Sequence, residues 1–202
     1  MQIIHAIGAL LFVASALAVA PASPQDLVGE RAVGEVMFSD ETVQLRYRDA
    51  GRNVGGDGSR ASGAFFLSEA RDIVFFGDFL FPAAANIFGE RVQLLFGPRA
   101  YAALLEDENN DVMSFSLGAE ARFELSTKLA VAAHAFYAPD ILTFGTADSV
   151  TDLGARVEYQ VQPRLTVFGG MRWFEFELIE EIDGEDERTS QEELIAGIAW
   201  QF

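Results

Sequence analysis

The chain has 202 residues, with 31 acidic side chains against 14 basic ones, a formal net charge of −17 and no cysteine. This balance excludes nucleic acid as a partner, because a polyanion is held by a basic surface that displaces its counterions. Without cysteine, an exported domain of this size must draw its stability from closed hydrogen bonding or a large core rather than from disulfides.

Taken from its start, the chain opens with a stretch, residues 1–22, that contains no Asp, Glu, Lys or Arg, and its apolar run Ile3 to Ala20 leads into Ala20-Pro21-Ala22. That is the pattern of a secretory signal peptide. Cleavage is expected after Ala22, since cleavage after Ala20 would leave Pro21 just past the scissile bond. An uncleaved anchor helix is the alternative, because Ile3 to Ala20 is barely long enough to cross a hydrocarbon layer of roughly 30 Å. Residues 23–202 then form one domain. No later apolar stretch reaches the roughly 18 uncharged residues of a membrane helix; the nearest, Ile73 to Gly89, is interrupted by Asp78 and Pro82.

From residue 32 onward the dominant signal is period two, the mark of strands whose faces meet different surroundings. Val43, Leu45 and Tyr47 alternate with Gln44, Arg46 and Arg48. Between Met113 and Leu125 the odd positions are apolar, while the even ones are Ser114, Ser116, Gly118, Glu120, Arg122 and Glu124. Leu153, Ala155, Val157, Tyr159 and Val161 alternate with Gly154, Arg156, Glu158 and Gln160. Strands are predicted over residues 32–39, 42–49, 62–68, 72–81, 91–105, 112–125, 128–138, 150–161, 164–179 and 192–202. In the ninth of these, the apolar phase of Leu165, Val167, Gly169, Met171 and Trp173 passes to Phe174, Phe176 and Leu178, which predicts a β-bulge or emergence above a membrane. The last strand places Leu194, Ala196, Ile198, Trp200 and the terminal Phe202 on one face. Such an ending resembles the C-terminal strand of bacterial outer-membrane barrels, which their assembly machinery recognises.

Several of these strands are longer than the five or six residues usual in soluble sandwiches, and match the roughly 9–11 residues of a membrane-crossing strand. Tight connections at Ser126-Thr127 and Gln162-Pro163 interleave with longer, polar ones at Glu106 to Asp111, Pro139 to Ser149 and Glu180 to Gln191, which all fall on one side. The predicted fold is all-β: a closed antiparallel transmembrane barrel of about ten strands. An eight-strand version would fuse 32–49 and 62–81 into two long strands and move the Gly-rich stretch from Asp49 to Ala61 to the outer side. Phe38, Tyr47, Phe81, Tyr137, Tyr159, Trp200 and Phe202 lie near strand ends, where interfacial aromatic girdles would sit. A soluble periplasmic sandwich or lipid-binding barrel is the rival, with the polar faces in water and Phe, Leu and Val inside.

Two segments, Tyr137-Ala138-Pro139-Asp140-Ile141-Leu142-Thr143-Phe144-Gly145 with Arg156-Val157-Glu158-Tyr159-Gln160-Val161, and Phe38-Ser39-Asp40-Glu41-Thr42-Val43-Gln44-Leu45-Arg46-Tyr47, resemble the YfaZ family of proteobacterial outer-membrane proteins. The resemblance spans nearly all of residues 23–202. It implies an outer-membrane barrel and carries no catalytic residues with it.

Chemistry is sparse. His134 is the one histidine after the leader, on a face with Ala132, Phe136 and Ala138, where no nucleophile accompanies it. If it had a partner, Glu120 or Glu124 would be expected. Neither cofactor nor metal is predicted: the acidic runs at 106–111 and 183–187 offer oxygens without the spacing of a calcium loop, although sharing divalent cations with anionic lipopolysaccharide is a hypothesis that they prompt. The richest set is the inward one. Arg46, Arg99, Tyr101, Glu120, Arg122, Glu124, His134, Arg156, Glu158 and Arg172 are expected to fill the lumen as a paired network; an anion-selective channel lined by the same arginines is the alternative. The sequence thus predicts a non-enzymatic, monomeric barrel of the Gram-negative outer membrane, in contact with lipid and lipopolysaccharide and with the barrel assembly machinery during biogenesis.

Overall fold

The computed structural model describes residues 32–49, 59–68, 73–83, 92–104, 111–145, 147–182 and 185–202. The expected signal peptide, the Gly-rich stretch at 55–58 and most of the acidic run at 106–111 lie outside the described residues. Eleven strands follow in chain order: β1 (Val33–Phe38), β2 (Thr42–Asp49), β3 (Arg60–Ser68), β4 (Ile73–Pro82), β5 (Val92–Leu104), β6 (Asp111–Glu124), β7 (Leu129–Ala138), β8 (Thr143–Gly145), β9 (Ala147–Gln162), β10 (Leu165–Ile182) and β11 (Glu185–Gln201). Each long strand pairs antiparallel with its neighbour in sequence, and β11 pairs with β1 to close the ring. β7 passes over β8 to pair with β9. Ten strands therefore build a closed barrel wall, while β8 is a three-residue piece that occupies the place of β7 beside Val112–Ser114, past the point where β7 ends.

Closure explains how a cysteine-free β protein satisfies its backbone: no long edge is left unpaired. Following partners once around the ring returns to β1 about twelve residues out of register, a stagger that goes with a strand tilt of roughly 40°. The eight-strand alternative fails at Ser39, whose hydroxyl accepts the N–H groups of Glu41 (3.1 Å) and Thr42 (2.8 Å) and turns the chain between β1 and β2. The soluble sandwich fails with it, since the ring has no second sheet.

Two further expectations need correction. The irregularity in β10 lies beyond the phase change rather than at it: β10 pairs with both neighbours without a register shift from Thr166 to Glu177, and its registers with β9 and β11 both shift past Glu177. Phe174 and Phe176 are apolar because they point inward, where they are buried (3% and 2% exposed), and the outward positions beside them are Glu175 and Glu177. The loop predicted from Glu180 to Gln191 is largely strand, because β10 and β11, paired to Glu177↔Arg188, pair again after a register shift at Glu181↔Asp186 and Ile182↔Glu185. The connection after β7 is also more ordered than a loop. It holds a 3-10 turn at Asp140–Leu142, then β8, whose Gly145 takes φ +99 where its Cβ position would meet the Asp111 carbonyl.

The barrel has two dissimilar ends. At one, called the terminal end, lie the start of β1, the end of β11 and the tight turns at 125–128 and 163–164; the Ser126 hydroxyl closes the first by accepting from Leu129 N–H (3.1 Å). At the other, the loop end, lie the connections after β1, β3, β5, β7 and β10. The alternation sorts the wall cleanly. Outward residues such as Phe75, Phe96, Met113, Leu117, Met171 and Leu194 are exposed, while charged residues such as Glu35, Asp78, Arg99, Asp152 and Arg172 are buried. All seven girdle aromatics face outward and are exposed, with Tyr47, Phe81, Tyr159, Trp200 and Phe202 near the terminal end and Phe38 and Tyr137 near the loop end.

Candidate functional site: the filled lumen

Inside the wall the side chains form storeys. Nearest the loop end is an apolar layer in which Phe66, Val74, Phe76, Tyr101, Val150, Phe174 and Phe176 are all buried together. Its rings lock edge to face: Phe66 against Phe174 with centroids 5.4 Å apart, and Phe174 against Phe176 at 4.8 Å.

Directly beneath it sits Asp152, 1% exposed. Its carboxylate accepts from Arg99 Nη1 (2.8 Å), Arg172 Nε (3.1 Å) and the Tyr101 hydroxyl (2.8 Å), and lies 3.1 Å from His134 Nε2. Arg99 continues to Asp78 (2.9 Å) and Glu120 (3.0 Å), and Arg46 bridges the same two acids at 2.9 and 2.8 Å. Ser62 donates to Asp78 (2.7 Å), and Arg60 pairs with the other oxygen of Glu120. Towards the terminal end Glu35 accepts from both Arg156 (2.7 Å) and Arg48 (2.6 Å), while Glu158 accepts from Arg122 (2.8 Å) and Arg156 (2.9 Å). The guanidiniums also rest on aromatic faces. Arg99 stacks 3.6 Å from the Phe136 centroid, Arg172 lies between Phe66 and Phe174, and Arg156 covers Phe168 at 4.3 Å.

Counted among the described residues, seven arginines (46, 48, 60, 99, 122, 156, 172) face seven interior acids (35, 78, 120, 124, 152, 158, 193). The lumen is formally neutral, so the net charge of the chain resides elsewhere. Arginine suits this role because its planar fork serves two carboxylates at once and stays charged when buried. Only about 60 Å³ remains open within the network, whereas a vestibule of about 350 Å³ opens at the terminal end.

All ten residues singled out for the lumen point inward, and they are not equivalent. Arg46, Arg99, Tyr101, Glu120, His134 and Arg172 belong to the central group, Arg156 and Glu158 to the lower one, and Glu124 reaches only Arg122, in a pair 55% and 40% exposed. His134 has Asp152 as its partner in place of Glu120 or Glu124: although His134 and Glu120 are cross-strand neighbours, the Glu120 carboxylate is taken by three arginines. The alternation missed Glu35, Asp78, Asp152 and Arg60, which supply much of the network. Asp152 lies within the predicted strand and shares the parity of Gly154, Arg156 and Glu158, so carrying that alternation back by one pair of residues would have found it. Leu194, Ala196, Ile198, Trp200 and Phe202 all lie on the outward face, and the Phe202 N–H donates to the Ala32 carbonyl (3.0 Å) to finish the seam. No cluster of three or more His, Asp or Glu side chains arranged for a metal ion occurs among the described residues.

Comparison with known proteins meets this geometry at one family. Residues 97–196, from mid-β5 into β11, match the model described as YfaZ precursor. Over that span the chain is similar to the YfaZ family. The 137–145 and 156–161 motifs fall within the YfaZ match and the 38–47 motif outside it, so the similarity covers the C-terminal part of the barrel rather than its whole length. No curated protein matches the sequence. Among solved structures, the chain is similar to a KdgM porin in complex with disordered oligogalacturonate (11% identity, TM-score 0.43, 85% of this chain and 98% of that one). It is also similar to a bacterial polysaccharide outer membrane secretin (13%, 0.47, 86% and 66%) and to the NanC porin (9%, 0.41, 85% and 98%). At these values the likeness is one of architecture, not of activity.

Proposed function

We propose that the protein is an integral barrel of the Gram-negative outer membrane, exported by a cleaved leader, whose lumen is sealed and whose role is structural or directed at the envelope surface. The observation that carries this is the inverted distribution of polarity. Leu117, Met171 and Leu194 are 64%, 61% and 77% exposed on the outer wall, while Arg99 and Asp152 are each 1% exposed inside it. Soluble monomers rarely show water a continuous apolar surface beyond a few hundred Å², and a lipid-facing wall is the arrangement that pays no such penalty.

Two features support a sealed lumen over an anion path. The interior charges balance over the lumen as a whole, and at the loop end the layer around Phe66, Phe174 and Phe176 packs beside the buried Thr42, Gln44 and Glu193, with only about 60 Å³ left open in the network beneath it. A non-enzymatic role is supported by His134, whose partner is a carboxylate already shared with two arginines and a tyrosine, with no serine, threonine or cysteine in that set for the imidazole to activate. Planar-bilayer recording of the purified barrel tests this: a flat baseline is expected, and regular unitary steps with anion selectivity would establish the channel instead.

A further inference from the structure

The vestibule at the terminal end breaks the neutrality of the lumen. Among the described residues its lining contains Arg48, Arg60, Arg122 and Lys128 against Glu124 and Glu158, an excess of cations in a chain whose net charge is −17. The excess is real at the level of individual bonds. Both vestibule acids are engaged by Arg122, at 2.7 and 2.8 Å, and Glu158 is shared further with Arg156. Arg48 has one oxygen of Glu35, a carboxylate that Arg156 also holds, and Arg60 has one oxygen of Glu120, which Arg46 and Arg99 also hold. The Nε atoms of Arg48 and Arg60 are buried with no acceptor. A buried charged donor left unmade is costly, and both of these belong to side chains that line the same cavity.

We infer that the vestibule is a binding site for a small organic anion bearing a carboxylate or phosphate group, taken from the aqueous side of the terminal end. Arg48 and Arg60 would receive the anionic group, each through donors not used by Glu35 or Glu120, in the forked geometry that guanidinium offers to carboxylate and phosphate. Lys128, exposed on the turn after β6, adds charge at the rim. Ser126, Thr127 and Gln160 place hydroxyl and amide groups on the same wall, suited to a polar body behind the charge. A volume of about 350 Å³ is that of a small-ligand pocket. Because every lining residue of β1, β2, β3, β9 and β11 belongs to the inner face, the ligand is a solute and not a lipid headgroup lying on the outer wall. This site lies on the opposite side of the network from the apolar seal, so it stands whether or not the barrel conducts.

The test is calorimetric titration of the folded full-length chain in zwitterionic detergent with citrate and with inorganic phosphate, at constant ionic strength against chloride. Saturable binding of at least one is expected, at least tenfold weaker in Arg60→Gln and measurably weaker in Lys128→Gln, which leaves every buried ion pair intact. Absence of saturable binding, or affinity unchanged in both variants, overturns the site. In nanodiscs, citrate affinity should be the same in phosphatidylcholine and phosphatidylglycerol; displacement by the anionic lipid would overturn the assignment to a soluble ligand. Neither result depends on conductance.

Discussion

Asp152→Ala is the substitution that interrogates the lumen most sharply. The residue is 1% exposed and its carboxylate serves Arg99, Arg172, Tyr101 and His134. Not all of these are stranded when it goes. Arg99 retains Asp78 and Glu120, at 2.9 and 3.0 Å, so its charge stays compensated. Arg172 retains the neutral Gln44 amide oxygen (2.9 Å), the faces of Phe66 and Phe174, and the nearby charge of its cross-strand neighbour Glu193, with which it makes no direct ion pair. Loss of the one carboxylate that Arg172 contacts directly sets the cost at about 3–5 kcal/mol, the range for breaking a buried pair from one side. Removing the stranded charge should restore much of it. Asp152→Ala combined with Arg172→Met, whose side chain is apolar and of similar reach, should be less destabilised than the sum of the two single variants by about 2 kcal/mol. Urea unfolding in lipid vesicles provides the free energies, read from Trp173 and Trp200, both on the outer wall where burial in lipid is lost on unfolding. Glu124→Gln, in the half-exposed pair with Arg122, is the control and should cost under about 1 kcal/mol. A loss below about 1 kcal/mol for Asp152→Ala, with strict additivity in the double variant, would refute a dry, paired interior and indicate one screened by water.

Other perturbations separate the remaining parts of the account. Leu117→Arg, midway along β6 on the outer wall, should cost about 2–4 kcal/mol in vesicle unfolding if it faces hydrocarbon; in a water-exposed wall it would be neutral. Phe174→Ala removes the ring that meets Phe66, Tyr101 and Phe176, so it should lose about 3–5 kcal/mol and bring stepwise conductance to a silent barrel. Unaltered silence would mean that the charged storey alone closes the lumen. Phe202→Ala should lower the fraction of chain reaching the folded state in cells while leaving the stability of purified, refolded barrel within about 1 kcal/mol, comparable to other exposed sites; a large loss in the refolded protein would make Phe202 a packing residue and not an assembly signal.

The strands were legible because each barrel strand separates two environments, and that separation writes period two into the sequence. Where it ceases, the reading fails for physical reasons. In β4, Val74, Phe76, Asp78 and Leu80 face inward beside outward Phe75, Phe79 and Phe81, so both faces are aromatic and nothing marks Asp78 as the partner of Arg46 and Arg99. The outer reaches of β10 and β11 carry acids without alternation, and composition there resembles a loop although the backbone remains paired. Phe174 and Phe176 broke the apolar phase because the lumen itself turns apolar at that depth, a change that periodicity registers without being able to say which face has changed. The Arg and Glu members of the site followed from parity. Their pairing did not, since Asp152 reaches Arg99 and Arg172 across the barrel bore and no spacing along the chain encodes that distance.

The central claim is that the apolar wall faces lipid. Fractionation of cells expressing the full-length chain, followed by gel migration with and without boiling, tests it most directly. The account predicts an outer-membrane band that requires detergent for release and changes mobility on heating; a soluble periplasmic band of unchanged mobility would contradict it.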